Sequence, residues 1–133
     1  MCVDQENEHE TETDTASLRV DVVDSWHKQW PTVLQEIERD GRRAKLLVDA
    51  DGWLSARQCL IVAFKDNVVV GHLVFSIQPG MSNISLHRPP IEAHQDDLGV
   101  RPGFSDAEVR KLLVDAATRQ AMALRCRRLV NFG

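Results

Sequence analysis

The sequence predicts a single α+β domain, in which strands and helices alternate along the chain. Two observations predict it: apolar residues recur at the period of two that is typical of strands in several segments, and at helical spacing in others. The length of 133 residues suits one domain with a substantial core. The 43% apolar and 27% charged residues are ordinary for a globular protein.

The N-terminal residues differ from the rest in charge. Residues 1–15 hold six of the 20 acids and no Lys or Arg, so the remainder carries 14 acids against 16 bases. A segment so poor in large apolar side chains is typical of disorder, and docking to a basic partner is the alternative. We expect a disordered acidic tail over 1–15 and one domain over 16–133. This weakly basic domain, without a Lys/Arg stripe interleaved with aromatics, indicates no nucleic-acid partner.

The sequence indicates neither membrane insertion nor secretion. Its longest apolar runs fall far below the roughly 20 residues that cross a bilayer, and the N-terminus lacks the basic and apolar regions of a signal peptide. Cys2, Cys59 and Cys126 are an odd number at spacings that suit neither a disulfide framework nor a zinc site. We expect a cytoplasmic location, reduced structural thiols and no bound metal.

A strand is predicted over residues 18–22, where apolar and charged residues alternate. The helix that should follow carries its apolar residues on one stripe; Asp24 or Ser25 can cap its start, and Gly41 can end it. Pro31 either kinks this helix or marks a restart at its first turn. The stripe consists of Trp26, Trp30, Val33, Leu34 and Ile37.

A second, weaker helix is predicted over residues 42–54, although the turn-forming residues 49–52 could end it early. Its apolar residues at helical spacing are Leu46, Leu47, Ala50 and Leu54.

The middle of the chain predicts a β-hairpin. Residues 59–64 and 68–77 are rich in β-branched side chains, and residues 65–67 between them are typical of a turn. A loop over 79–90 then leads into a strand over 91–100.

The final helix has the clearest apolar stripe of the chain. At its start, Ser105 and Glu108 have capping-box spacing, in which the serine hydroxyl accepts from the glutamate N–H. A short strand over 126–132 should follow. The stripe consists of Val109, Leu112, Leu113, Ala116, Ala117, Gln120, Ala121 and Leu124.

The junction between residues 97–104 and 105–113 resembles the acyl-CoA site of the GNAT acetyltransferases; it reads DLGVRPGF and then SDAEVRKLL. The Val-Val-Gly run at 69–71 is a second point of likeness, to a central strand of that family. The resemblance covers residues 59–132 well and residues 16–58 by the order of elements. It implies a mixed, mostly antiparallel sheet with helices on both faces, lacking the family's C-terminal helix and strands.

The resemblance also implies acyl transfer from acetyl-CoA to an amine. The N–H of Leu98 would stabilise the thioester oxygen, and Leu98, Gly99 and Val100 would pair with pantetheine. Backbone amides at the start of the last helix would meet the pyrophosphate. The residues there are Ser105, Asp106, Ala107, Glu108, Val109 and Arg110.

This sequence departs from the family's pattern at that helix start. Asp106, Glu108 and Arg110 stand where the family has glycines, which let the backbone approach phosphate closely. The chain has no tyrosine, although family members often use one to protonate the departing thiolate. Two functions stay open: a weak or degenerate N-acyltransferase, and a non-catalytic module that binds a protein partner or itself.

His94 is the candidate general base, because several GNAT enzymes place theirs four residues before the position that Leu98 holds. Asp96 could orient this imidazole or raise its pKa; an ordinary strand histidine is the alternative. Strand alternation predicts one shared face for Glu92, His94, Asp96, Leu98 and Val100.

The strand over 126–132 is expected to leave an exposed sheet edge, because the family's later strands do not follow it. Exposed edges pair readily with other strands. We therefore expect a homodimer through this strand, with a protein partner as the alternative.

Overall fold

The computed structural model describes residues 18–79 and 91–132, which form a five-stranded sheet with one helix on each face. The predicted acidic tail and most of the loop before Ile91 lie outside the described residues. The elements are β1 (Leu18–Val23), α1 (Trp30–Arg39), a 3₁₀ turn (Arg43–Lys45), β2 (Gln58–Lys65), β3 (Val68–Pro79), β4 (Ile91–Val100), α2 (Asp106–Ala123) and β5 (Arg128–Val130).

The spatial order of the strands follows the chain, β1-β2-β3-β4-β5. Each neighbouring pair from β1 to β4 is antiparallel, and β5 joins β4 in parallel through the α2 crossover. The mixed, mostly antiparallel sheet with helices on both faces is therefore confirmed, as is the hairpin of β2 and β3.

Two apolar clusters fill the space between the sheet and its helices. The cluster under α1 is built from Val23, Trp30, Val33, Ile37, Leu46, Leu60, Val62, Phe64, Val69 and Val74. The cluster under α2 is built from Ile61, Ala63, Val70, Leu73, Phe75, Ala93, Val109, Leu113, Ala117 and Ala121. No helix in the described ranges is both long enough and apolar enough to cross a membrane.

The first helix begins later than predicted. Asp24 does not cap it; its Oδ1 accepts from the N–H of Trp26 in a local turn, and α1 starts at Trp30 with Pro31 in its first turn. The alternative of a restart at Pro31 is the correct one, because proline fits the first helical turn, where its missing N–H costs nothing. The predicted end is confirmed: Gly41 has φ +76° just after the helix.

The second predicted helix, over 42–54, is wrong. Only a 3₁₀ turn forms at its start, and a β-bridge then joins Val48 to Leu54. Between them, Asp49 Oδ1 accepts from the N–H groups of Asp51 and Trp53, and Gly52 has φ +86°. Local side-chain hydrogen bonds of this kind compete with helix formation. The segment therefore forms a compact loop, although its apolar residues have helical spacing.

The last strand is shorter than the predicted 126–132. Arg125 has φ +67°, and the N–H of Cys126 donates back to Ala121 O, so the chain is still leaving α2 at these residues. Pairing with β4 begins only at Arg128 and ends at Val130.

Candidate functional site

A β-bulge in β4 organises the candidate site. Val74 pairs with Asp97 and Phe75 pairs with Gln95, so Asp96 is the extra residue of β4. The bulge corrects the predicted alternation of side chains. Leu98 and Val100 pack with the cluster under α2. The even-numbered residues before the bulge face the opposite side of the sheet.

Asp97 lies at the centre of a buried ionic network on the α1 side. Its Oδ2 lies 2.8 Å from His72 Nε2, and its Oδ1 lies 2.6 Å from Arg42 Nη1. Burial alone would raise the pKa of Asp97, but hydrogen bonds and charge from His72 and Arg42 lower it below its ordinary value. Asp97 is therefore ionised at neutral pH, and both of its carboxylate oxygens are engaged by His72 and Arg42.

Gly99 gives this network its space. A Cβ at this position would lie 2.9 Å from His72 Cε1 and 3.1 Å from Arg42 Nε. Glycine in a strand interior often marks such a close approach. The network therefore depends on the same glycine that the family resemblance assigns to pantetheine.

Asp96 points to a different set of partners. Gln58 Nε2 donates to its Oδ2 at 3.1 Å, and Ser76 Oγ donates to its Oδ1 at 3.2 Å. Gln58 also bonds the loop after α1, donating to Lys45 O and accepting from the Leu47 N–H. Asp96 thus ties the bulge to that loop.

His94 is half-buried and pairs with Glu92. Its Nε2 lies 2.9 Å from Glu92 Oε1, and Glu92 Oε2 lies 3.5 Å from Arg128 on β5. The structure therefore gives the orienting carboxylate to Glu92, whereas the sequence predicted Asp96. A carboxylate in this position can fix the imidazole tautomer and support a general base.

The backbone of β4 beyond the bulge has no strand partner on its outer side among the described residues, and Arg42 Nη1 lies 3.5 Å from Leu98 O there. The N–H of Arg101 donates to Val70 O at 2.8 Å, which directs Arg101 and Gly99 toward β3. Leu98 and Val100, alternating with them, direct their N–H groups away from β3. Within the described residues, β5 pairs with β4 only from Glu92 to His94, so this outer row lies past the last strand pairing.

The start of α2 is capped by its own side chains. Ser105 Oγ accepts from the Glu108 N–H at 3.4 Å, and Arg110 Nε lies 3.2 Å from Asp106 Oδ2. Val109 is buried, and its N–H bonds Ser105 O. The cap predicted for Ser105 is confirmed, and it occupies a donor that a phosphate would need.

The GNAT acetyltransferase family model matches residues 16–132. The chain belongs to the GNAT acetyltransferase family. No curated protein matched the sequence.

Solved structures of GNAT acetyltransferases share this fold. An aminoglycoside acetyltransferase from an uncultured soil metagenomic sample is 15% identical with a TM-score of 0.66, covering 86% of this chain and 76% of its own. A ribosomal-protein-alanine N-acetyltransferase from Brucella melitensis biovar Abortus 2308 is 14% identical with a TM-score of 0.62, covering 86% and 78%. Aminoglycoside N-acetyltransferase AAC(6')-Iy in complex with CoA is 19% identical with a TM-score of 0.54, covering 84% and 76%.

In this GNAT chain, one part of the expected acetyl-CoA site suits its ligand and another part does not. The outward N–H groups of Leu98 and Val100 fit pantetheine, because backbone donors do not depend on side-chain identity. The start of α2 fits pyrophosphate poorly, since Asp106 and Glu108 place acids in its first turn. Among the described residues, no group of three or more His, Cys, Asp or Glu could hold a metal.

The two described cysteines of this GNAT chain are free thiols. Burial, together with the neighbouring Cys126, raises the pKa of Cys59 to about 11, and burial raises the pKa of Cys126. Both are therefore protonated at neutral pH and are poor nucleophiles.

Sequence reasoning missed the His72–Asp97–Arg42 network. The signal was present in two places: consecutive acids in a half-buried strand require partners, and the strand glycine Gly99 indicates a close approach. Neither signal identifies His72 or Arg42, which lie 25 and 55 positions away from Asp97.

Proposed function

We propose that this chain transfers an acetyl group from acetyl-CoA to an amine. The observation that carries the proposal is the β4 bulge followed by the outward N–H groups of Leu98 and Val100. This arrangement offers a donor row for pantetheine and a donor for a thioester oxygen. The similar structures include acetyltransferases of aminoglycosides and of a ribosomal-protein alanine, so their acceptors are amines as well.

The reaction requires one bond to form and one to break. The amine nitrogen attacks the thioester carbonyl carbon, the C–N bond forms, the C–S bond breaks, and CoA leaves as the thiolate. The Leu98 N–H stabilises the negative charge that develops on the carbonyl oxygen. His94, held by Glu92, takes the proton of the attacking amine.

The amine is proposed to enter beside β3. A cavity of about 370 Å³ is lined by Leu47, Arg57, Ser76, Ile77, Gln78 and Pro79. Ser76 connects this cavity to the bulge, because its hydroxyl donates to Asp96. Asp96 is therefore proposed to orient the Ser76 hydroxyl at this cavity rather than to orient His94.

The second candidate function is a non-catalytic binding module of the same fold. The α2 start favours it, since the Ser105 cap and the first-turn acids oppose phosphate binding. A cytoplasmic location belongs to both proposals, and the free thiols of Cys59 and Cys126 support it, because reducing compartments keep thiols unpaired.

Calorimetric titration with acetyl-CoA separates the two functions, with Val100→Pro as the decisive variant. Proline removes the outward N–H of Val100 without removing a bond to β3, and Val100→Ala is the control that keeps the N–H. We expect saturable binding by the wild type and by Val100→Ala, and binding about fivefold weaker for Val100→Pro.

Thermal unfolding of both variants verifies that the sheet is intact. Absence of acetyl-CoA binding to the wild-type protein would overturn the enzyme and leave the binding module. Equal affinities of Val100→Pro and Val100→Ala, with equal melting temperatures, would show that this outer row does not hold pantetheine.

A further inference from the structure

Two exposed tryptophans form a surface that the acyl-transfer proposal does not use. Trp26 is 79% exposed and Trp53 is 43% exposed, and their ring centroids lie 4.9 Å apart in an edge-to-face arrangement. Exposed large aromatics in contact are typical of interaction surfaces. Both lie at the end of the sheet where β1 finishes and β2 begins, far along β2 from the α2 start.

The surface consists of two adjoining cavities, which we name the tryptophan groove. One of about 350 Å³ contains both tryptophans, and the other of about 490 Å³ extends from Trp53 to Leu47. They share a floor made of Trp53, Leu54, Ser55 and Ala56.

Hydrogen bonds hold the groove in place. The Leu54 N–H donates to Ser25 Oγ at 2.7 Å, which joins the two loops that carry the tryptophans. The buried Trp30 donates from Nε1 to Gly52 O at 3.1 Å, anchoring the turn before Trp53 to α1. The surface is therefore preformed, which reduces the ordering cost of binding.

The charge of the groove is entirely negative. Asp24 and Asp49 are its only charged lining residues among the described part of the chain. Each uses Oδ1 to accept backbone N–H groups of its own turn. The Oδ2 atom of each accepts no hydrogen bond from the described residues. An ammonium or guanidinium could thus meet a carboxylate oxygen and a tryptophan face together.

We propose that the tryptophan groove docks an extended basic segment of a partner protein. Lysine or arginine side chains of that segment contact Trp26, Asp24 and Asp49, and its apolar side chains cover Leu54 and Ala56. Two adjoining open cavities fit the alternating side chains of an extended chain better than a compact amine. The proposal does not require acyl transfer, so the result of its test does not depend on whether the chain is an enzyme.

The test measures fluorescence anisotropy of a labelled decapeptide of alternating lysine and leucine, titrated with the full chain. The matched probe replaces every lysine with glutamate. The protein variants are Trp26→Ala and the double variant Asp24→Asn/Asp49→Asn, since asparagine keeps the turn-forming oxygen and removes the charge. Asp115→Asn, which removes an exposed acid of α2 outside the groove, is the charge control.

We expect the lysine peptide to bind and the glutamate peptide not to bind. Trp26→Ala and the double variant should each weaken binding by about fivefold or more, whereas Asp115→Asn should leave it unchanged. Equal binding of both peptides, or equal losses in Asp115→Asn and the double variant, would overturn the proposal. Full competition by spermine would also overturn it, because the groove would then bind free polyamines. A wild-type dimer in light scattering that Trp26→Ala dissociates would overturn it as well, because the groove would then bind a second copy of the chain.

Discussion

Asp97 shows how one inserted residue determines the chemistry of a strand. The bulge at Asp96 turns Asp97 toward His72 and Arg42, and both of its oxygens are then occupied. A buried carboxylate with two such partners holds distant parts of the chain together, because removing one member leaves the others uncompensated.

We expect Asp97→Asn to lower the free energy of unfolding at neutral pH by about 3 kcal/mol, since Arg42 loses its counter-charge and the buried His72 loses its carboxylate partner. The pKa of Asp97 is lowered in the folded state, so its stabilisation is present above the unfolded pKa near 4. It is lost as the pH falls through the folded value. Urea unfolding across acid pH should therefore show a steeper loss for the wild type than for Asp97→Asn; parallel profiles would contradict the role of the ion pair.

At the residue scale, the sequence located the candidate residues of β4, but it did not predict which face of the sheet each side chain occupies. His94 and Leu98 were assigned to one face, because strict alternation was assumed along the whole strand. The apolar residues do change phase, from Ala93 to Leu98 and Val100, but the polar run between them does not show where the extra residue lies. The role proposed for the Leu98 backbone does not depend on this error, since its N–H direction follows from β3 pairing and not from its side chain.

Among the elements, α2 has the local features that its sequence predicts. Ser105→Ala should lower the free energy of unfolding by about 1 kcal/mol, because it removes the oxygen that accepts from Glu108. Ser105→Asp, which keeps an N-cap acceptor, is the rescue control. A denaturation midpoint that does not move in Ser105→Ala would show that this hydroxyl caps nothing.

The packing of α2 on the sheet depends on Gly71. A Cβ there would lie 2.8 Å from Val109 Cγ1 and 3.2 Å from Leu113 Cδ1. We expect Gly71→Ala to destabilise the protein by about 1–3 kcal/mol through overpacking. A Val109→Ala background removes the closest of these contacts and leaves the one at 3.1 Å to Gly99 O, so the cost of Gly71→Ala should shrink without vanishing. Additive losses in this double-mutant cycle would place the strain elsewhere.

Residues 42–54 show how an apolar pattern can predict the wrong secondary structure. Leu46 is buried and Leu54 packs against the α1 cluster, whereas Leu47 and Ala50 are exposed, so only part of the predicted stripe is core. Their spacing fitted a helix, but Asp49 and Gly52 supply turn chemistry that a short loop satisfies better. In this segment the apolar spacing therefore predicted neither the backbone nor the full set of buried residues.

For the whole molecule, the homodimer through the C-terminal strand remains a proposal. β5 is the last strand in the sheet order and pairs only with β4 among the described residues. Arg128 is already engaged by Glu92, which reduces the like-charge repulsion that two facing β5 strands would otherwise meet. Sedimentation at micromolar concentration should show a dimer that Leu129→Pro dissociates, because proline removes a strand donor; a soluble wild-type monomer would exclude it.

The agreement between chain order and sheet order has a kinetic consequence. β2, β3 and β4 each pair antiparallel with their immediate predecessor, and the β2–β3 turn is only two residues long, so the β2–β3 contact closes the shortest loop of the sheet. β5 must instead wait for α2 to cross the sheet. Amide exchange should therefore be slowest in β2 and β3 and fastest among the strands in β5. Opening of β5 alone would leave the antiparallel strands intact while releasing the outer side of β4 at His94, which couples exposure of the proposed base to the least stable strand.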